Sequence, residues 1–162
     1  FGDNKLSAQL RGRSLILRAL EAVPTEHLDA VTVVTQYPEV MRLAKEFHFA
    51  AVCNDHPEYG ISHTIALGLT GLRDCDGVVF LVSDQPLLRR ESVAALAHGG
   101  VRGNPCVFPA RLFPELLELR EDLGGNAVIR RHEEDLLLLD VPARELQDVD
   151  TRQDMEAMLD ES

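Results

Sequence analysis

A carboxylate follows one of the longest apolar runs of the chain, in the tetrapeptide Ser83-Asp84-Gln85-Pro86. The preceding run at 77–82 has the composition of a strand buried on both faces, and ligands gather where such parallel strands end. Mg²⁺ takes oxygen ligands and commonly uses one or two carboxylates together with phosphate oxygens. Asp84 is therefore a candidate magnesium ligand. The alternative interpretation is that Asp84 only caps the following turn, which Pro86 would stiffen.

A second acidic group lies in Asp148-Val149-Asp150-Thr151, immediately before the last predicted helix. Asp150 and Gln153 have the spacing of a capping box, so a structural N-cap explains much of this motif. Two acidic residues at a sheet edge can also supply a second metal ligand. We interpret Asp148 as structural and leave both roles open for Asp150.

The segment at 54–62 also follows an apolar run and leads into a predicted helix. Asn54 comes first, Gly60 permits a close backbone approach, and Ser62 can open the helix with its hydroxyl group. Free N–H groups at such a helix start can bind a nucleobase or ribose oxygen. The alternative, that Ser62 is an ordinary N-cap and Gly60 a turn residue, is favoured by this segment alone.

Positive charge lies in two predicted loops. Lys5 follows Asn4 in the opening loop and precedes Arg11 and Arg13, while a second loop runs through Arg102-Gly103-Asn104-Pro105. Lysine and arginine side chains can neutralise phosphate oxygens. Taken singly, each of these residues is also explained as a solvated surface charge.

The charge balance limits the class of partner. Lysine and arginine number 16 against 27 aspartates and glutamates, which gives a net charge of −11. Wrapping of nucleic acid phosphates requires a basic footprint, so nucleic acid is not predicted as a partner. The three cysteines form no C-x-x-C pair, and we expect buried, reduced thiols. No apolar run is long enough for a membrane span, no signal-peptide pattern opens the sequence, and we predict a cytoplasmic protein.

The apolar pattern predicts alternating strands and helices. The predicted strands are 31–35, 49–53 and 77–82, with weaker candidates at 105–109 and 136–141. The predicted helices lie near 14–22, 39–48, 62–72, 90–98, 111–120, 125–132 and 151–160. This alternation favours an α/β fold with a wound, mostly parallel sheet covered on both faces, in one domain over 1–162. We expect a strand upstream of Phe1, and missing residues both there and near Gly99-Gly100.

Six motifs in order resemble the MobA-like nucleotidyltransferases, and within them the molybdenum cofactor cytidylyltransferase branch. They are Asn4-Lys5-Leu6, Gly12-Arg13-Ser14-Leu15, Asn54 with Gly60-Ile61-Ser62, Ser83-Asp84-Gln85-Pro86, Arg102-Gly103-Asn104-Pro105-Cys106-Val107-Phe108, and Leu119 to Gly125 followed by Asp148-Val149-Asp150-Thr151. Two departures from the family pattern stand out. Asn104 replaces a histidine, which leaves the acceptor preference open, and the stretch at 122–125 is shifted, so it receives no role.

The resemblance implies a Rossmann-like, three-layer nucleotidyltransferase fold with a mostly parallel central sheet. It implies a reaction that joins an NTP to a phosphorylated acceptor and releases pyrophosphate. By this analogy Lys5 and Asp84 are catalytic, Asp84 holds Mg²⁺ with help from Asp150, and nucleotide binding falls to Lys5, Asn54, Gly60 and Ser62. The loop of Arg102, Gly103, Asn104 and Pro105 would face the acceptor.

The leading hypothesis is transfer of CMP from CTP to molybdopterin. One alternative is a guanylyltransferase that uses GTP on molybdopterin or another phosphorylated small molecule. Another is a nucleotide-binding maturation protein without catalysis. A molybdoenzyme or its maturation chaperone is the expected protein partner, and a monomer is the expected state. The L-A-A-G-type segment that helps to select the base is not found in these 162 residues, so the preference for CTP rests on the downstream motifs.

Overall fold

The computed structural model describes residues 5–72, 74–96 and 105–160. The strands in these ranges are β1 Gln9–Leu10, β2 Arg13–Ser14, β3 Thr32–Thr35, β4 Ala50–Cys53, β5 Gly77–Phe80 and β6 Cys106–Pro109. The α-helices are α1 Leu15–Glu21, α2 Pro38–Glu46, α3 Ile61–Thr70, α4 Arg90–Leu96, α5 Phe113–Leu117, α6 Asn126–Ile129 and α7 Arg152–Asp160. Strands and helices alternate through the middle of the chain, which confirms the predicted α/β class.

The strands pair in both directions. β3 and β4 are parallel, with Thr32 opposite Ala50 and Thr35 opposite Cys53. β5 and β6 are antiparallel, with Val78 opposite Phe108, and β1 and β2 form a short antiparallel hairpin. β-Branched residues dominate β3 and β5, as expected for half-buried strands that pack against helices. The apolar pattern located these four longer strands, but it carried no signal for the antiparallel direction of β6.

The predicted strand at 136–141 is wrong. That segment has no strand assignment, and Leu137 and Leu138 are 65% and 71% exposed. A strand needs a neighbouring strand for its backbone hydrogen bonds, and the described residues provide no pairing here. A short apolar run does not reveal whether such a neighbour exists, which explains the error.

Three apolar clusters hold the described elements together. The first gathers α3, β5, β6 and the helices α5 and α6, and the second gathers α1, α2, β3 and β4. The third is small and joins Leu10, Leu15, Val149 and Met158, with Leu87 packed against it. This third cluster connects the opening hairpin with α7 and with the segment after β5. It therefore brings together the three parts of the chain that carry Lys5, Asp84 and Asp150.

Several smaller predictions were also resolved. The predicted helix at 111–120 is a turn at Ala110–Leu112 followed by the shorter α5, and none of the described helices is long and apolar enough to cross a membrane. The three cysteines form no disulfide; Cys106 is buried, Cys75 is partly buried and Cys53 is exposed. The expectation of buried thiols was therefore wrong for Cys53 and holds only in part for Cys75. The predicted features at Phe1–Asn4 and Gly99-Gly100 lie outside the described residues, and the single domain stays a prediction.

Candidate nucleotide and metal site

One ammonium group joins two carboxylates from distant parts of the chain. Lys5 donates hydrogen bonds from Nζ to Asp84 Oδ2 at 2.9 Å and to Asp150 Oδ1 at 3.0 Å. The side chains of Lys5 and Asp84 are 33% and 24% exposed, whereas that of Asp150 is 72% exposed. The three residues that were predicted to surround the phosphates and the metal thus meet in one place, open to solvent on the Asp150 side.

The electrostatics of this group keep Lys5 charged. Partial burial opposes the charged form of the ammonium, but hydrogen bonds and Coulomb attraction from Asp84 and Asp150 outweigh it, so the pKa of Lys5 lies above its usual 10.5. The two carboxylates are held side by side with a cation between them. Two neighbouring carboxylates are also the kind of donor pair that binds a divalent cation, and here the Lys5 ammonium supplies the positive charge.

Asp84 is positioned by the backbone of the segment that carries Asp150. The Asp84 carbonyl accepts a hydrogen bond from the Val149 N–H at 2.8 Å. The neighbouring Gln85, which is 6% exposed, donates from Nε2 to Asp148 Oδ1 at 2.9 Å. Asp148 therefore has a structural role, as predicted. Two neighbouring hydrogen bonds, Val149 to Asp84 and Gln85 to Asp148, hold the two acidic motifs together.

The capping interaction before α7 differs from the predicted one. The side chain of Asp154 accepts hydrogen bonds from the N–H groups of Asp150 and Thr151, and Thr151 Oγ1 accepts one from the Asp154 N–H. This reciprocal pair is a capping box shifted by one residue from the predicted Asp150–Gln153 pair. Because Thr151 caps the helix, the Asp150 carboxylate is left to contact Lys5.

Asn54 shapes the turn that leads into α3. Its Oδ1 accepts a hydrogen bond from the His56 N–H at 3.1 Å, and its Nδ2 donates to Thr64 Oγ1 at 3.1 Å. Asn54 is 6% exposed, so these contacts fix its amide group. Thr64 was not singled out from the sequence. Its position in the helix, ten residues after Asn54, places its hydroxyl next to that amide.

Gly60 and Ser62 contact the protein itself. Gly60 has φ +80° and ψ −174°, and a Cβ atom there would lie 2.5 Å from the carbonyl carbon and oxygen of Glu121. The Ser62 N–H donates to the Glu121 carbonyl at 3.0 Å. The predicted close backbone approach at Gly60 is therefore present, but its partner is Glu121. The expectation of a free N–H at Ser62 is wrong, as is that of Ser62 as N-cap, since Gly60 holds that position.

The segment around Glu121 received no role from the sequence, although its backbone contacts the start of α3 at Gly60 and Ser62. Glu121 adopts φ +55°, a left-handed conformation that is uncommon for a residue other than glycine. Gly125, farther along the same segment, lies so close to Phe108 that a Cβ atom would come within 2.8 Å of its ring. The Gly124-Gly125 pair was the visible signal, because a close approach of this kind requires glycine.

The predicted acceptor loop falls largely outside the described residues. Arg102, Gly103 and Asn104 belong to the part of the chain that the structure does not describe, as does Asn4. Pro105 is buried at the start of β6. Their assignment to the acceptor stays a prediction.

The donor set fits a magnesium ion that is shared with phosphates. Within 5–72, 74–96 and 105–160, no three His, Cys, Asp or Glu residues converge as a complete metal cage. Mg²⁺ is commonly bound by one or two carboxylates and completes its shell with water and substrate phosphates. Asp84 and Asp150 provide that number of carboxylates, at a position that already holds a cationic group.

Known proteins are similar to this chain in sequence. A family model described as MobA-like NTP transferase domain matches residues 1–136. The purine catabolism protein PucB of Bacillus subtilis (strain 168) is 26% identical over 153 residues, which is 80% of this chain and 74% of that protein.

Two solved structures have the same fold. A nucleotidyl transferase from Methanothermobacter thermautotroptrophicus aligns with a TM-score of 0.77 at 21% identity, over 97% of this chain and 84% of the other. The molybdopterin-guanine dinucleotide biosynthesis protein A of Archaeoglobus fulgidus aligns with a TM-score of 0.60 at 15% identity, over 98% and 90%. The α/β architecture of the chain is thus that of nucleotidyl transferases.

Proposed function

The chain belongs to the MobA-like NTP transferase domain family, and from this premise we propose that it transfers CMP from CTP to molybdopterin, with release of pyrophosphate. The contact of Lys5 with both Asp84 and Asp150 carries the proposal. One cation and two carboxylates are the charges that a triphosphate and its metal ion require, and their meeting in this chain supports the proposal. A purely structural ion pair would not require a second carboxylate that is mostly exposed.

The proposed reaction is a displacement at phosphorus. An oxygen of the acceptor phosphate forms a bond to the α-phosphorus of CTP, and the bond from that phosphorus to the β-phosphate oxygen breaks, so that pyrophosphate leaves. Catalysis of this kind depends mainly on positioning and on stabilising the developing charge. Lys5 supplies positive charge to the phosphate oxygens, because even its ordinary pKa of 10.5 lies well above neutral pH.

Asp84 and Asp150 would hold the metal ion, which we assign as Mg²⁺ from the oxygen donors. When bound, the ion supplies charge neutralisation to the phosphates. Because the Lys5 ammonium contacts both carboxylates, it would leave at least one of them in a complex with the ion, and would then be available to the phosphate oxygens.

The remaining roles follow from the family pattern. Asn54, Gly60 and Ser62 are proposed to form the wall of the nucleotide pocket, with Asn54 fixed by Thr64 and Gly60 held against Glu121. The Ser62 hydroxyl, rather than its N–H, is the group that we assign to the nucleotide. The loop of Arg102, Gly103, Asn104 and Pro105 is proposed to bind the acceptor, and a molybdoenzyme or its maturation chaperone to receive the product.

The alternative base is guanine. The Archaeoglobus fulgidus structure with this fold is named for molybdopterin-guanine dinucleotide biosynthesis, so the fold is compatible with a guanylyltransferase. A non-catalytic nucleotide-binding maturation protein is the alternative of a different class. The presence of Lys5 and Asp84, which the family pattern assigns to catalysis, favours an enzyme over that alternative.

Calorimetric titration of the full-length protein with CTP, GTP and ATP, with and without Mg²⁺, tests the proposal. We expect CTP to bind most tightly and Mg²⁺ to strengthen it, and we expect added molybdopterin to yield a cytosine dinucleotide and one equivalent of pyrophosphate. A preference for GTP would replace CTP by GTP in the proposal. Nucleotide binding without pyrophosphate release would favour the maturation protein, and a folded protein that binds no nucleotide would overturn the transferase.

A further inference from the structure

A buried carboxylate next to the candidate site has no role in the reaction described above. Glu145 is 1% exposed, although it lies only five residues before Asp150 and most acidic residues of its segment are exposed. Burying a carboxylate costs free energy unless hydrogen bonds and opposite charge compensate. The groups that hydrogen-bond to Glu145 therefore indicate its role in the structure.

The hydrogen bonds to the Glu145 carboxylate come from the far end of the loop that begins with Asp84. Glu145 Oε1 accepts a hydrogen bond from Arg89 Nε at 2.7 Å. Glu145 Oε2 accepts from the Arg89 N–H at 3.2 Å and from Ser92 Oγ at 2.6 Å. Burial opposes ionisation of this group, but the hydrogen bonds from Ser92 and Arg89 outweigh it and hold the pKa of Glu145 below its usual value.

The near end of the same loop is attached to the same C-terminal segment. Asp84 accepts from Val149, and Gln85 donates to Asp148 and, at 3.4 Å, to the Leu146 carbonyl. The two segments thus run in opposite directions, with 84–85 against 146–149 and 89–92 against 145. We call residues 84–92 and 145–150 the two arms of a clamp. Asp84 and Asp150 stand on opposite arms.

We propose that Glu145 is a positioning residue that sets the separation of Asp84 and Asp150 by fastening the far end of this clamp. The proposal rests on the proposed function, because it assigns to that separation the binding of a divalent ion. Glu145 reaches the site only through Arg89, Ser92 and the loop that they terminate. It is not a ligand of the ion.

A second observation indicates that this region is arranged for geometry rather than for maximal stability. Gln85 Oε1 is buried and has no hydrogen-bond partner among the described residues. A buried, unpaired amide oxygen costs free energy, and such costs concentrate at functional sites. In Gln85 this unpaired oxygen occurs together with a hydrogen bond from Nε2 to Asp148, which joins the two arms of the clamp next to Asp84.

The test measures the affinity of the full-length protein for Mn²⁺ in the presence of CTP, from the electron paramagnetic resonance signal of free Mn²⁺. We expect Glu145→Ala to weaken Mn²⁺ binding by about tenfold or more, the range seen when a partner outside the ligand shell is removed. Glu145→Gln should have a smaller effect, because its amide oxygen still accepts from Ser92 and the Arg89 N–H. The matched control is Glu115→Gln. Glu115 lies on α5, and its carboxylate is paired with Arg131 and His132. This substitution should leave Mn²⁺ affinity unchanged.

Ser92→Ala provides a variant that keeps every charge, in case the Glu145 variants do not fold. It removes the 2.6 Å hydrogen bond to Glu145 and should also weaken Mn²⁺ binding, whereas loss of packing alone would lower only the melting temperature. The proposal is overturned if folded Glu145 and Ser92 variants bind Mn²⁺ as the unsubstituted protein does. If Asp84→Asn abolishes binding in that case, the proposed metal site stands while the role of Glu145 fails. If the unsubstituted protein binds no Mn²⁺ with CTP, both fail together.

Discussion

Lys5 Nζ lies 3.0 Å from Asp150 Oδ1, although 145 positions of the chain separate the two residues. Through this contact and the one with Asp84, a cation of the protein itself lies between two carboxylates. In the absence of substrate, the ammonium screens the repulsion between Asp150 and Asp84. Under the proposed metal assignment, a metal ion and Lys5 would compete for these two carboxylates, and this competition can be measured.

Replacing Lys5 should separate metal binding from catalysis. Lys5→Met removes the ammonium, so we expect the nucleotide-free protein to bind Mn²⁺ more tightly, while turnover falls about 100-fold or more for the loss of one charge contact to the reacting phosphates. Both partners of the pair are partly exposed, so the melting temperature should change little. The other lysine of the chain supplies the control: Lys45→Met should change neither quantity. Weaker Mn²⁺ binding by Lys5→Met would show that the ammonium does not occupy the metal position.

Asp84 should be required for turnover but not for folding. Asp84→Asn keeps the size of the side chain and the backbone carbonyl that accepts from Val149, and it removes the charge that faces Lys5. We expect turnover to fall by about 100- to 1,000-fold, as for the loss of one preorganised electrostatic contact. Steady-state pyrophosphate release and circular dichroism provide the two readouts. Asp135→Asn, which removes a carboxylate paired with Arg111, is the control. A folded Asp84→Asn protein with normal turnover would exclude the metal assignment.

Gly60 should tolerate no side chain. Its φ and ψ fall in a region that is essentially restricted to glycine and costs other residues about 1–3 kcal/mol, and a Cβ atom would also overlap the Glu121 backbone. We expect Gly60→Ala to lower the free energy of unfolding more than Gly12→Ala does. Gly12 also has a positive φ, +75°, but no atom lies within 4 Å of the added carbon, so it is the control for positive φ without a contact. Equal losses in urea unfolding of the two variants would mean that the Glu121 contact yields without cost.

Acid should remove the stabilisation that Glu145 provides. The folded-state pKa of Glu145 lies below its ordinary value of 4.5, so the ionised carboxylate stabilises the folded protein above that pH. The stabilisation is lost as the pH falls through the lower folded-state pKa. The melting temperature of Glu145→Gln should therefore lie below that of the unsubstituted protein at about pH 7, and the difference should narrow toward about pH 3. A difference that stays constant over this range would assign the stabilisation to packing.

The candidate site residues that the sequence indicated most directly lie in short motifs that follow apolar runs. Asp84 and Asn54 follow β5 and β4, and the rule that ligands gather at strand ends located both. Lys5 and Asp150 were found as local patterns, but their meeting depends on the third apolar cluster, which draws residues from both ends of the described chain. Periodicity reports which residues are buried and not which buried residues meet.

The parts that the sequence did not predict depend on contacts between distant positions. Glu145 carried no motif, because its partners Arg89 and Ser92 lie more than fifty positions earlier. The role of Glu121 is a backbone carbonyl, which any residue type presents. The shifted capping box shows a third reason: Gln153 and Asp154 both satisfy the local rule, so the sequence alone does not reveal that Asp154 accepts the hydrogen bond from Thr151.

The two arms of the clamp have a consequence for protein engineering. Because 84–92 and 145–150 are joined by side chains at 85, 89, 92, 145 and 148, neither arm can be exchanged alone without leaving unmatched polar groups. In chimeras between this chain and a relative, both arms should therefore be inherited from one parent, together with the lysine at position 5. Crossover points placed between them would divide a unit that is continuous in space although it is interrupted in the gene.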